Sequence, residues 1–272
     1  ETIEGNAIEE LSTLPQVISG FNLNSIKRCS KIFKNLTKKI IKVENFESAE
    51  IVKLINNSYR DLSFAYSNQI AMICNKYNLS ANKVIQVSNQ DYPRNIIPIP
   101  SPGVGGPCLT KDPYILGKEI NSNNKNIFEM GREINDKIVD SLINIIKKNS
   151  KSHNEKILIC GLSFKGFPET KDYRGSGTLI FLKKLKKYKL ELLDPLYTFK
   201  EIKELKVKPF KKVYKSFDKV IFLNNNRAFK TKKFQKKILR VLKNNSEIYD
   251  YWNIFNQKLI KTNIKYFHIG QN

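Results

Sequence analysis

The chain has 272 residues, 40% of them apolar, and carries 48 Lys and Arg against 25 Asp and Glu, a formal net charge of +23. That size and apolar share fit one large or two ordinary packed domains and argue against a disordered tail. Four cysteines without paired spacing or a Cys/His cluster argue against a disulfide framework or a zinc site, and with no bilayer-length apolar run and no signal peptide the expectation is a cytoplasmic protein.

In chain order, residues 5–12 read as a helix, 16–21 as a strand and 23–37 as a helix with Ile26, Cys29 and Ile32 at helical spacing. A long helix follows over 47–77. Its apolar stripe, Ile51, Ile55, Tyr59, Leu62, Tyr66, Ile70, Ile73 and Tyr77, keeps helical spacing without a Gly or Pro. At ~100° per residue, Lys53, Asn57, Asp61 and Asn68 fall within about 80° of one another on a different face. That face is either a solvated wall or one turned toward a site.

A short helix over 82–90 leads into "NQDYPRNIIPIPSPGVGGPCLTKDP", residues 89–113, whose density of Pro and Gly predicts an ordered irregular loop. Helices over 113–120 and 125–149 follow, the second with Ile127, Met130, Ile134, Ile138, Leu142 and Ile145 on one side. The charged run 147–156 reads as a linker, which divides the chain into 1–150 and 151–272. Beyond it, strands over 156–161, 190–194 and 219–223 alternate with helices over 175–187 and 230–243, and two strands close the chain. This pattern predicts a parallel sheet covered on both faces.

The chemistry concentrates at Cys108. Gly103, Gly105 and Gly106 let backbone pass close to a ligand and free amide groups for an oxyanion, and Pro102, Pro107 and Pro113 stiffen the loop. A thiolate there needs cationic help, which Lys111 and Lys53 could give. Asp112 could act as a base or orient water. The alternative for Cys108 is an inert buried thiol.

The segment "GVGGPCLTKDP" closely resembles the catalytic loop of the nucleotide-sugar 6-dehydrogenases, the UDP-glucose, UDP-N-acetylmannosamine and GDP-mannose dehydrogenase family. "EGNAIEEL" (4–11), "AEIVKLINNSYRD" (49–61) and "ICGLSFKGFPETKDYRGS" (159–176) resemble other family segments in the same order. The resemblance implies an α/β fold: a mainly helical central, dimerisation domain over 1–150, then a Rossmann-like UDP-sugar-binding domain over 151–272. It also implies oxidation of a sugar C6 alcohol to the acid with NAD, through a thiohemiacetal and a thioester on Cys108. Lys53 and Asn57 then stabilise oxyanions, Asp112 assists proton transfer and water activation, and Glu4 is a further acid–base group. Arg94, Gly103, Gly106, Phe164 and Lys165 match substrate-contacting positions and Arg174 a cofactor-contacting one, although the spacing from Phe164 to Arg174 is longer than usual in the family. Trp252 stands where the family often has Arg.

No GxGxxG fingerprint follows an initial strand, so the chain is expected to lack the N-terminal NAD-binding Rossmann domain and to be inactive alone. "GVGGPC...DPYIL" looks nearer the N-acetylhexosamine-type enzymes. UDP-N-acetylmannosamine is therefore the first expected substrate and UDP-glucose the second, in a homodimer with no nucleic-acid or membrane partner. The basic charge would permit nucleic-acid binding, but the lysines are dispersed and no nucleic-acid-binding motif accompanies them. A non-catalytic nucleotide-sugar-binding or dimerisation module is the rival reading.

Overall fold

The computed structural model describes residues 6–120, 124–211 and 213–270. Helix α1 (Ala7–Thr13) precedes a small β-α-β unit in which β1 (Gln16–Ile18) and β2 (Ile40–Lys42) pair in parallel across α2 (Leu23–Phe33). Asn22 and Ser25 start α2 by a reciprocal capping box, each side chain accepting from the other's backbone N–H at 2.9 and 3.0 Å. Strand β2 is not evident in the sequence: three residues are too few to show an alternation.

The long helix α3 (Phe46–Lys76) is capped by Asn45, whose side chain accepts from the Ser48 amide at 2.9 Å. Its burial inverts simple amphipathicity. The polar and small residues Asn57, Asp61, Ala65, Asn68 and Ala71 face inward, while Ile55, Tyr59, Tyr66, Ile73 and Tyr77 of the apolar stripe are exposed, Tyr59 by 71%. The small inward residues let α6 (Ile127–Asn149) approach closely. Gly131 of α6 has no room for a Cβ, which would lie 2.8 Å from Leu62 Cδ1. Helices α4 (Ala81–Asn89) and α5 (Asp112–Lys118) flank α3, with the proline-rich loop between them.

Helix α6 changes character along its length. Its first half buries Gly131, Arg132 and Asn135 and exposes Ile127 and Met130, which share the apolar side of the helix with the buried Ile138 and Leu142. Its second half buries Ile138, Val139, Leu142, Ile143 and Ile146. These pack in one core with Ala71 and Cys74 of α3 and with Ile157, Ile159 and Ile221 of the sheet, so a single helix joins the helical region to the sheet.

That sheet has six strands in the order β5-β4-β3-β6-β7-β8, every neighbouring pair parallel. They are β3 (Lys156–Cys160), β4 (Lys189–Leu193), β5 (Lys208–Pro209), β6 (Phe217–Phe222), β7 (Leu242–Asp250) and β8 (Lys265–Phe267), connected through α7 (Gly177–Lys184), α8 (Phe199–Glu204), α9 (Arg227–Lys230) and α10 (Lys232–Val241). Alternate residues of β3 serve opposite faces: Ile157 and Ile159 join the α6 core, and Leu158 and Cys160 the core under α10. This is the doubly wound arrangement, with the strand order reversing between β3 and β6.

The mixed α/β fold agrees with the expectation, and the differences are local. The helix expected over 230–243 is the shorter α10, which starts where the Thr231 hydroxyl accepts from the Phe234 amide at 3.3 Å, and a further short helix, α9, precedes it. Strand β7 begins earlier than its apolar run. Helix α8 and the two-residue β5 were too short to read from the sequence.

Candidate active site

The inward face of α3 is buried and not a solvated surface. Asn57 donates from Nδ2 to Asp112 Oδ2 at 2.7 Å, and Lys53 Nζ lies 3.8 Å from the same oxygen. Lys111 Nζ is 2.5 Å from Asp112 Oδ1. Asp112 is fully buried at the first turn of α5, where a carboxylate is favoured by the helix dipole. One buried carboxylate thus gathers two ammonium groups and an amide. Both lysines remain about half exposed, so they are open to a ligand at this edge.

Cys108 is tied to this carboxylate through the backbone. Its carbonyl accepts from the amides of Lys111 and Asp112 at 3.1 and 2.9 Å, forming the turn from which α5 begins. Thr110 Oγ1 donates to the Gly106 carbonyl at 2.8 Å and braces the same turn. The four thiols differ in setting. Burial pushes the Cys160 thiol well up and raises that of Cys74, which suits inert packing, whereas Cys108 is only half-buried.

A second buried network holds the glycine loop. Arg132 donates from Nη1 to Asp61 Oδ1 at 2.5 Å and to the Val104 carbonyl at 3.2 Å, and from Nη2 to Asp136 Oδ1 at 2.7 Å. Asn135 donates to Asp61 Oδ1 at 2.9 Å, and Asn68 to Asn135 Oδ1 at 2.9 Å. Asn68 Oδ1 in turn accepts from the Ser101 amide at 3.0 Å. Burial raises the Asp61 carboxyl above its ordinary value, with the Arg132 charge acting against that rise. Sequence reasoning missed Arg132 and Asn135. Their signal was present as "GREIND", in which Arg132 and Asn135 stand three residues apart on one face of an otherwise apolar-sided helix.

The loop is closed from the sheet side. The Gly106 amide donates to the Arg174 carbonyl at 3.2 Å, a Cβ at Gly105 would lie 2.3 Å from the Gly175 carbonyl oxygen, and one at Gly106 would press on the Phe164 ring at 3.0 Å. Gly103 and Gly106 have φ of +104° and +94°, where other residues are strained. On the side where a Cβ would project, Val139 packs against Gly103 and Phe164 against Gly106. Arg174 is largely exposed and gripped by Asp172, Nε to Oδ2 at 2.9 Å and Nη2 to Oδ2 at 2.6 Å. Lys165 lies beside the Phe164 ring, its Nζ 5.6 Å from the centroid.

Two regions of the chain match known family profiles: residues 47–137 match the central domain of the UDP-glucose/GDP-mannose dehydrogenase family, and 158–257 its UDP binding domain. The chain belongs to this family. A UDP-N-acetyl-D-mannosamine dehydrogenase of Methanococcus vannielii is 32% identical over 167 residues, 60% of this chain and 38% of that protein. One from Methanococcus aeolicus is 27% identical over 263 residues, 94% of this chain and 58% of that protein. The structure of a UDP-D-ManNAc dehydrogenase from Pyrococcus horikoshii superposes with a TM-score of 0.79 at 23% identity, over the whole of this chain and 63% of that one, which supports the fold. The chain therefore spans between 38% and 63% of the length of these proteins.

Two expected site residues remain, one of them outside the described residues. Glu4 is outside them. Arg94 is exposed in the segment after α4, with no ion pair among the described residues. At the sheet, Asp194 ends β4 where a ribose ligand would stand in a dinucleotide site. Its Oδ2 already accepts from the Leu162 amide at 2.7 Å and its Oδ1 from the Leu196 amide at 2.9 Å. The connection after β3 thus lacks both the glycine fingerprint and a free acidic partner, and the described residues do not fit a dinucleotide held in the Rossmann manner. Among the described residues no cluster of His, Cys, Asp or Glu could hold a metal ion, and no helix is long and apolar enough to cross a membrane.

Proposed function

We propose that this chain is the catalytic-loop and UDP-sugar-binding part of an NAD-dependent nucleotide-sugar 6-dehydrogenase, with UDP-N-acetylmannosamine as first substrate and UDP-glucose as the alternative. The observation that carries the reading is the convergence of Lys53, Asn57 and Lys111 on the buried Asp112, one turn beyond Cys108. The sugar preference rests on the loop "GVGGPC...DPYIL" and on the similarity to the UDP-N-acetyl-D-mannosamine dehydrogenases of Methanococcus.

In this reading Cys108 Sγ, as thiolate, adds to the C6 aldehyde carbon, and the carbonyl oxygen becomes an oxyanion. The Lys53 ammonium and the Asn57 amide are donors suited to that charge. Once the C6 carbon has been oxidised to the thioester level, water attacks it, the C–S bond breaks and the thiolate is restored. Asp112 orients that water and takes its proton, with Lys111 and Lys53 steadying the carboxylate. Glu4 is a further acid–base group. The oxidant is NAD. Because the described residues do not fit a Rossmann-type dinucleotide site, the chain alone is expected to bind NAD poorly and to lack turnover, with Arg174 contributing to the cofactor.

The uridine nucleotide is placed at the strand-order reversal between β3 and β6, where ligands of doubly wound sheets bind. Phe164 and Lys165 follow β3 at this point, and Gly103 and Gly106 shape the facing loop. Arg94 reaches the substrate of a second copy in a homodimer formed through the exposed stripe of α3. The division of roles falls near residue 150, in a cytoplasmic protein.

The test is a panel of UDP and GDP sugars offered with NAD to the natural polypeptide that carries these residues. UDP-N-acetylmannosamine should be oxidised fastest. No NADH from any nucleotide sugar would sink the enzyme reading and favour a non-catalytic binding module.

A further inference from the structure

A cavity of about 670 Å³ opens at the end of the sheet opposite the reversal point, where α7 ends and β4 and β5 begin. This volume lies within the range that holds small organic ligands, roughly 300–1,000 Å³. It shares no residue with the Cys108 cluster.

The cavity's composition is one-sided. Lys183, Lys186, Lys189, Lys206 and Lys208 surround it, and among the described residues none of the five has an ion pair. The contrast with Lys184, which pairs with Asp140, shows that an acid is within reach of α7 but is not spent on this cavity. The one carboxylate in the lining, Glu191, is already satisfied: Lys156 Nζ lies 2.8 Å from Oε1, and the Lys211 amide donates to Oε2 at 3.0 Å. Five lysines with no ion pair among the described residues therefore line one concavity. The potentials of like charges in a cleft add, and an anion there is attracted by all of them.

Beneath the lysines the floor is aliphatic, with Leu182, Leu190 and Leu205 half-buried. The lining has no side-chain amide, and its only hydroxyl is the phenol of Tyr188. A nucleobase is read through amide and hydroxyl partners on its edge, which this lining does not provide. An aliphatic body needs none.

We propose that this cavity is a second ligand site, for an amphiphilic organic phosphate whose aliphatic body lies on Leu182, Leu190 and Leu205 and whose phosphate is held by Lys186, Lys189, Lys206 and Lys208. Lys206 provides a clean probe. It closes α8 with φ +58°, donating its amide to the Lys203 carbonyl at 2.9 Å, in the left-handed conformation that glycine adopts without strain. Lys206→Gly removes a charge and relieves the backbone together.

The experiment titrates dodecyl phosphate, below its micellar concentration, into the 272-residue chain by calorimetry. Inorganic phosphate and dodecyl maltoside separate the head from the tail. Dodecyl phosphate should bind saturably at one site and more tightly than either control, and excess UDP should not displace it. Lys186→Glu with Lys208→Glu should weaken binding by about tenfold or more, as reversal of a facing charge does. Lys206→Gly should weaken it while holding or raising the melting temperature. Vesicles of phosphatidic acid, against phosphatidylcholine, separate the two sources: retention lost in the Lys186→Glu, Lys208→Glu variant assigns a membrane headgroup, and dodecyl phosphate binding without retention assigns a free ester. Inorganic phosphate binding as tightly, displacement by UDP, or indifference to the lysine variants would overturn the proposal. Displacement by UDP would do so while leaving the dehydrogenase reading intact.

Discussion

Asn57 and Asp112, 55 positions apart in the chain, meet through a single 2.7 Å hydrogen bond in which the amide donates to a carboxylate that has no solvent exposure. The bond fixes the start of α5, and with it the turn bearing Cys108, against the long helix. Asn57→Ala leaves a buried carboxylate oxygen short of a donor, a loss of about 1–3 kcal/mol. Urea denaturation should show it as a lower midpoint at unchanged slope. In the natural polypeptide the same change should lower kcat more than it raises KM, because the oxyanion is stabilised only as the reaction proceeds.

Arg132 holds the glycine loop from the other side. Arg132→Met strands the buried Asp61 carboxylate, and breaking a buried pair in this way costs about 3–5 kcal/mol. The Val104 carbonyl also loses its donor. Hydrogen exchange should quicken at the Gly105 and Gly106 amides before it does in the sheet. Unchanged loop exchange would show that the network is not what holds the loop.

The exposed stripe of α3 predicts association. Tyr59→Glu with Tyr66→Glu places charge on that face without touching the buried one. Sedimentation should find the unmodified chain as a dimer and the double variant as a monomer. A monomeric unmodified chain at tens of micromolar would remove the dimer from the account.

One charge pair has a defined pH signature. The Lys171 ammonium, with the backbone and hydroxyl of Thr198, pulls the Glu201 carboxyl from an ordinary 4.5 down to about 2. The folded value is the lower, so the stabilisation is present above the ordinary value and is lost as pH falls through 4.5 toward 2. Glu201 is partly exposed at the surface, so the effect is local to the start of α8. Carboxyl-resolved NMR titration should place Glu201 lowest in this segment, and Lys171→Met should move it upward.

The fold was legible where periodicity ran long enough. Strands β3, β4 and β6 and helices α3 and α6 stood out because alternate or helical spacing persists over several residues, whereas β2 and β5 depend on a neighbour to exist at all. At the site, Cys108, Asp112 and Asn57 were readable from the loop and the helix face. The inversion of α3 was not. An apolar stripe normally marks the inside, but here Asp61, Asn57 and Asn68 are supplied with partners by Asp112, Arg132 and Asn135, from parts of the chain no local pattern connects. The closing of the loop by Gly175 and Phe164 likewise needs backbone-to-backbone fit, which single-residue patterns do not encode.

The most direct measurement compares Cys108→Ser with the unmodified natural polypeptide, with UDP-N-acetylmannosamine and NAD as substrates and the uronic acid followed by mass spectrometry. Acid formation should be lost, because no thioester can form, while UDP binding and the melting temperature stay unchanged. Acid formed at the unmodified rate by Cys108→Ser would contradict it.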